Sequence, residues 1–236
     1  MPNGTSANGD PSPCDNAPVK IAVIGASGWL GGEIAREALG RGHAVTALGR
    51  DLSRLQDISN ADFAQGAVDA TDADALAAAV VGHDVVVASV TDRSGSDRSV
   101  IPTVAGALID ALPGAGAPRL AFVGGGGSLL APDGRRFVDQ PGFPEPHRAE
   151  ALAQDEALAL LRTAPATLDW TYLSPPPADL QPGDGRGGYE VRGDDRPVTD
   201  AEGHSWITSG DLAAAMVDEL ERPQFSRRRF TVGYAS

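Results

Sequence analysis

Apolar residues occur along this chain in short continuous runs, separated by longer stretches that are apolar only at helical spacing. VKIAVIG (19–25) is a run of strand length that stops on a glycine. Residues 28–40 then place Leu30, Ile34, Ala38 and Leu39 on one face of a helix. HAVTALGR (43–50) reads as a second strand, with Asp51 or Ser53 placed to cap a short helix behind it. An Ala-rich helix over 72–81 starts at Asp72, and HDVVVASV (83–90) is another buried strand. A helix near 97–112, the strand RLAFVG (119–124), a long helix over 147–163 and the strand LDWTYLS (168–174) follow. A helix over 210–221, capped by Ser209, and the strand RRFTVGY (228–234) complete the pattern.

Strands that are apolar throughout are buried on both faces, and helices of roughly 10–15 residues between them make parallel βαβ units. The predicted fold is therefore α/β: a single-domain, doubly wound (Rossmann) parallel sheet over 19–236, with helices on both faces. No composition shift marks a second domain, and no repeat is present. The irregular stretches 91–97, 125–146 and 175–205 are expected to gather beyond the carboxyl ends of the strands and form the substrate pocket.

Composition narrows the picture. Hydrophobic residues make up 42% of the 236, without any apolar run of the ~18 needed for a membrane helix. The opening MPNGTSANGDPSPCDNAP has neither a basic start nor an apolar stretch, so 1–18 reads as a disordered tail and not a secretory signal. The single cysteine, Cys14, falls in it; no internal disulfide can form, which fits a cytoplasmic protein. A net charge of −13 argues against nucleic acid or an anionic membrane as partner. It also makes individual arginines informative. The four histidines, at 43, 83, 147 and 204, show no metal-ligand spacing, and no G-x-S-x-G hydrolase elbow occurs.

Gly25, Gly28 and Gly31 form G-x-x-G-x-x-G between a strand and a helix. Gly25 permits a tight turn off the strand, Gly28 a close approach of backbone to a pyrophosphate, and Gly31 close packing of helix on sheet. The helix dipole and its free N–H groups favour the phosphate charge. The plainer alternative is that these glycines serve only the turn. The second strand ends in Arg50, with Arg54 four residues later, where NAD-binding chains usually carry an acidic residue. Two arginines there suit a 2′-phosphate, which points to NADP(H). Against it stand the neighbouring Asp51 and the possibility of a simply solvated pair.

GASGWLGGEI, ALGRDLSRL, VDATDADAL and DVVVASV together resemble the atypical short-chain dehydrogenase/reductases, closest to the NmrA-like and NAD(P)H-flavin-reductase or biliverdin-reductase-B-like branch. The resemblance extends over about 19–235 and includes AFVGGGGSL, FPEPHRAEALAQDEAL and LDWTYLSPPP. It implies Gly25, Ser27, Gly28, Trp29 and Leu30 around the pyrophosphate and Arg50 and Arg54 on the 2′-phosphate. It further implies Asp69 on the adenine amino group with Ala70 beside the ring, and Ser89, Val90 and Thr91 bordering the nicotinamide ribose. Pro175 and Pro176 would lie near the nicotinamide carboxamide. Val68 departs from the glycine common before that aspartate.

Most short-chain dehydrogenases move their proton with a Tyr-x-x-x-Lys pair. Here Lys20 is the only lysine and precedes the first strand, so that pair is absent. Ser128, after the fifth strand where the family's serine is expected, and His147, which titrates near neutrality, are the candidate catalytic groups. The bland readings are a turn residue and an exposed helix-start histidine. Tyr172 and Tyr189 are further candidates. Gly124 to Gly127 read as backbone passing beneath a nicotinamide ring, and Arg227, Arg228 and Arg229 as solvated positions on an edge strand. The resulting expectation is an NADPH-dependent reductase of a small molecule, a monomer or small homo-oligomer. Two alternatives are a non-catalytic redox sensor and a non-redox isomerase or cyclase on the same fold.

Overall fold

The order of strands in space explains why the loops predicted to bind ligand meet. In the computed structural model, residues 17–91, 99–116 and 119–235 are described. β1 (Lys20–Ile24), β2 (Ala44–Gly49), β3 (Phe63–Ala67), β4 (Val85–Ser89), β5 (Arg119–Val123) and β6 (Trp170–Ser174) belong to one eight-stranded sheet. With β8 (Glu190–Arg192) and β10 (Arg228–Gly233), its order is β3-β2-β1-β4-β5-β6-β10-β8. All pairs are parallel except β10 with β8. The chain leaves β1 toward β2 and β3, then returns to the other side of β1 with β4. The switch point, where such sheets bind ligands, thus lies between β1 and β4.

Helices α1 (Trp29–Gly40) and α5 (Ser209–Glu221) cover one face, where Ile34, Ala38 and Met216 pack with Val23 and Phe230. Helices α2 (Ala73–Ala79), α3 (Val100–Ala111) and α4 (Glu145–Thr163) cover the other, around Val86, Phe122 and Tyr172. The doubly wound sheet predicted from the alternating pattern is the observed fold. Among the described residues, no helix is long and apolar enough to cross a membrane. The expected tail falls almost wholly, at 1–16, outside the described residues, as do 92–97 of the first expected pocket loop.

Several local expectations change. β3 was not legible: FAQGA alternates weakly and is exposed along much of its length. The stretch 175–205 holds β8 and β7 (Asp179–Gln181), the latter paired with β9 (Trp206–Thr208) in a small second sheet. The cap of α5 is Thr208, whose hydroxyl accepts from the Asp211 N–H at 3.3 Å, one residue before the expected Ser209. Asp72 caps α2 as predicted, through the Ala75 N–H at 3.0 Å. β10 is not an edge strand, because β8 pairs along its outer side. Its arginines have specific work: Arg227, at φ 53°, donates to the carbonyls of Ala164, Pro165 and Leu168 behind α4, and Arg229 is buried.

Candidate functional site

The first turn out of β1 is built for backbone. Gly25 has φ +82°, and a Cβ there would overlap the Ser89 carbonyl at the end of β4. Only glycine meets both conditions. The Gly28 N–H donates to the Gly25 carbonyl at 2.8 Å, closing the turn, and Gly28 caps α1 without a side chain of its own. A Cβ at Gly31 would overlap the Gly25 carbonyl, so the helix start rests directly on the turn. No acidic residue occupies the first turn of α1. The result is a helix N-terminus aimed at the switch point with N–H groups that lack intrahelical acceptors. Such a cradle fits an anion such as a diphosphate. Ser27 and Leu30 are half-buried in the turn, and Trp29 is 48% exposed beside it.

The pairing of β2 with β3, in register at Gly49 and Ala67, brings the segments that follow each strand to one corner. Arg50 and Asp69 meet there. The Asp69 Oδ1 accepts from the Thr71 N–H at 3.0 Å and its hydroxyl at 2.8 Å. Those bonds, and then the nearby Arg50 charge, hold its carboxyl below the ordinary aspartate value. Arg50 and Arg54 are exposed, and neither forms an ion pair with a described residue. Asp51 accepts from the Ser53 N–H at 3.0 Å, which ties it into the short 3-10 turn. Val68 is buried against Leu48 and Leu76, and its N–H donates to the Gly49 carbonyl at 3.2 Å. Ala70 is partly buried beside it.

On the other side of the switch point, α4 faces the segment after β4. Thr91 donates to Glu150 at 2.8 Å, and the Gln154 amide donates to the Val90 carbonyl at 3.3 Å. The second polar atom of that buried amide, Oε1, has no partner among the described residues. His147, one turn before Glu150, is exposed, and its ring makes no hydrogen bond with a described residue. Gln154 and Glu150 escaped the sequence reading, although their i, i+4 spacing on a helix beginning at His147 was available as a signal.

The expected proton donors separate once their partners are seen. Ser128 is only 6% exposed, and its hydroxyl accepts from Arg229 at 2.8 Å. Arg229 in turn pairs with Asp195 at 2.5 Å. Tyr172 is fully buried, donating to the Gln154 carbonyl at 2.9 Å and accepting from the Gly125 N–H at 3.2 Å. Burial pushes its phenol well above the usual range. The Tyr189 hydroxyl donates to Asp218 on α5 at 2.5 Å. The glycines after β5 serve close packing, since side chains would overlap Tyr172 at Gly124 and the backbone of Pro175 and Pro177 at Gly126. Pro175 and Pro176 are both buried in that contact layer.

Comparison with known proteins agrees with this geometry. The model of the NAD(P)H-binding family matches residues 25–223. YwnB of Bacillus subtilis, a protein of uncharacterised activity, is 37% identical over 217 residues, covering 91% of this chain and 98% of its own. A candidate epimerase of Bacteroides thetaiotaomicron is 33% identical, with a TM-score of 0.83 over 93% of this chain and 99% of that one. A candidate NADH-flavin reductase of Streptococcus pneumoniae is 32% identical, with a TM-score of 0.77 over 92% and 99%.

Proposed function

The chain belongs to the NAD(P)H-binding family, and from that premise we propose an NADPH-dependent reductase that passes hydride to a small conjugated or carbonyl compound. One observation carries the reading. A glycine-built helix start lies at the switch point, and Arg50 and Arg54, which follow the end of β2, form no ion pair with a described residue. Gly25, Ser27, Gly28, Trp29, Leu30 and Gly31 surround the diphosphate. Arg50 and Arg54 take the 2′-phosphate, and Asp69 and Ala70 receive the adenine. Ser89, Val90, Thr91, Pro175 and Pro176 border the nicotinamide end.

The dinucleotide, when bound, supplies the hydride. The chain's own part is orientation and proton supply. Thr91 and Glu150 hold the β4 loop against α4. His147, open to solvent on the first turn of α4, delivers the proton directly or through a water. Ser128 is committed to Arg229 and fixes the loop behind β5, so we rank it below His147 as a donor.

The test is NADPH oxidation with a panel of carbonyl and conjugated acceptors. His147→Ala should lower turnover and leave NADPH binding intact. Arg50→Ala should weaken NADPH more than NADH, by about 1.5–3 kcal/mol for a lost charge-assisted bond. Equal loss for both dinucleotides removes the 2′-phosphate role. A second reading, a sensor that binds the dinucleotide without turnover, is favoured by the position of Lys20. That only lysine starts β1, at the opposite end of the strand from the cradle, so no Tyr–Lys pair can form there. Binding of both redox forms with no acceptor consumed across the panel would select the sensor.

A further inference from the structure

A cavity of about 520 Å³ is lined by the segments that follow β5 and β6 and by residues between Arg192 and Ser205. Its walls are apolar, formed by Leu130, Phe137, Pro177 and Pro197. Its volume lies in the range of small-molecule sites, roughly 300–1,000 Å³. Hydrogen bonds to backbone carbonyls hold its rim: the Leu130 N–H donates to the Asp195 carbonyl at 2.7 Å, and the Thr231 hydroxyl donates to the Arg196 carbonyl at 3.2 Å. Pro177 belongs both to this wall and to the layer over Gly126, so the cavity adjoins the turn proposed to border the nicotinamide.

Its charge is the informative feature. Arg192 and Arg196 both line it, and neither pairs with a carboxylate among the described residues. Among the described residues the Arg196 guanidinium makes a single long contact, 3.4 Å, to the Ala131 carbonyl. Asp179 also lines the cavity and accepts from the Gln181 amide. Two guanidiniums against one carboxylate leave a single positive charge, in a chain whose net charge is −13. His204, at the mouth, lies 3.8 Å from Asp200 and is largely exposed. Unpaired cations facing an apolar space are stabilised by an anionic group that brings its own apolar body.

Resting on the reductase reading, we infer that this cavity is the substrate site and that it takes a small aromatic or conjugated monocarboxylate. Arg192 and Arg196 hold the carboxylate, and the apolar walls hold the ring or conjugated chain. One net charge suits a carboxylate better than a phosphate monoester, which carries close to two.

The test is calorimetry on protein saturated with NADPH, with benzoate, cinnamate and 2-naphthoate against their primary amides and against phenyl phosphate. At least one acid should bind tenfold or more tightly than its amide. The Arg192→Gln, Arg196→Gln double variant should abolish that preference while its melting curve and NADPH affinity stay unchanged. Asp179→Asn should tighten acid binding. The inference is overturned if no acid is preferred over its amide, if phenyl phosphate is preferred to every acid, or if the double variant keeps the preference. The two readings fail separately. Protein that discriminates the acids through these arginines but ignores nicotinamide dinucleotides loses the cofactor assignment alone. Protein that binds NADPH and no acid loses the substrate assignment alone.

Discussion

Replacing Gly31 by alanine isolates the contact on which the cradle rests. In an open helix position this change would stabilise by about 1 kcal/mol, because glycine gives up more backbone freedom than alanine. Here the new methyl would overlap the Gly25 carbonyl oxygen and reach within 3.2 Å of the Ala26 Cα. Gly25 cannot yield easily: its carbonyl accepts from Gly28 at 2.8 Å and its N–H donates to Leu48 at 3.3 Å. Relief therefore means moving the helix start or the turn by about 1 Å, at the roughly 1–3 kcal/mol typical of overpacking. Set against the helix gain, the apo protein should lose about 0–2 kcal/mol. Binding should suffer more, because the displaced atoms are the ones proposed to meet the diphosphate. One lost charge-assisted bond, about 1.5–3 kcal/mol, raises Kd by roughly 10- to 150-fold. Two controls define the scale. At Gly32 the neighbours are the Ala26 carbonyl at 3.1 Å and the movable end of Arg36 at 3.2 Å, so alanine should cost little. At Gly40 nothing lies within 4 Å, so alanine should be neutral or stabilising. Urea unfolding and NADPH calorimetry on the three variants read both quantities. Wild-type NADPH affinity in Gly31→Ala, or an equal loss in Gly40→Ala, would refute the steric argument.

Two further expectations concern α5, which packs beside α1 on the same face of the sheet. Asp211, buried at the start of α5, accepts from the Tyr234 hydroxyl and from the N–H groups of Arg186 and Gly187 at 2.8 and 3.0 Å. Burial raises its pKa, but these hydrogen bonds outweigh it and leave the carboxyl below its ordinary value. Its stabilisation is thus complete above the unfolded pKa of about 3.9 and is lost as pH falls through the lower folded value. Asp211→Asn should cost roughly 1.5–3 kcal/mol at neutral pH and flatten the acid limb of a stability–pH curve; an unchanged acid limb would count against it. Glu219, buried on α5, accepts from Arg119 at 2.5 Å and from the Gln224 and Phe225 N–H groups. Glu219→Gln leaves the buried Arg119 with the half-exposed Asp169 at 3.0 Å as its remaining carboxylate, beside the Glu219 backbone carbonyl at 2.9 Å. It should lower stability by about 3–5 kcal/mol in urea unfolding, and a loss below 1 kcal/mol would show the pair to be dispensable.

The fold was legible wherever burial is two-sided. KIAVI, VVVAS and RLAFV are apolar except at one end, at Lys20, Ser89 and Arg119, because helices cover both faces, so a continuous run was a sufficient signal. FAQGA failed that test for a physical reason: β3 is an edge strand of the large sheet, joined to β2 alone and largely exposed, and nothing requires its side chains to be apolar. The three-residue strands β7, β8 and β9 were hidden for a related reason. Backbone pairing places them, and segments so short carry no period to detect. Ser209 was a reasonable cap by residue type, yet Thr208 is also a favoured cap, and the backbone geometry selects it.

Legibility at the site follows the same division between local and distant causes. The glycine turn could be read because its requirements are local: a positive φ, and close approach between neighbouring segments. Partners remote in sequence were invisible. Ser128 is tied to Arg229, 101 positions away, and Tyr189 to Asp218, 29 away. In each case a residue type suited to catalysis is held by a contact the chain's order does not announce. The reverse holds for the arginines. Arg50 was singled out because strand position gave it meaning, whereas Arg192 and Arg196 had none until the folding of 175–205 set them in one apolar cavity. In a chain this acidic, the distribution of carboxylates is what turns arginines into candidate sites. Arg119 and Arg229 are satisfied inside the fold, while those at the β2 corner and in the cavity form no ion pair among the described residues, which is what makes them the candidates for anions from outside.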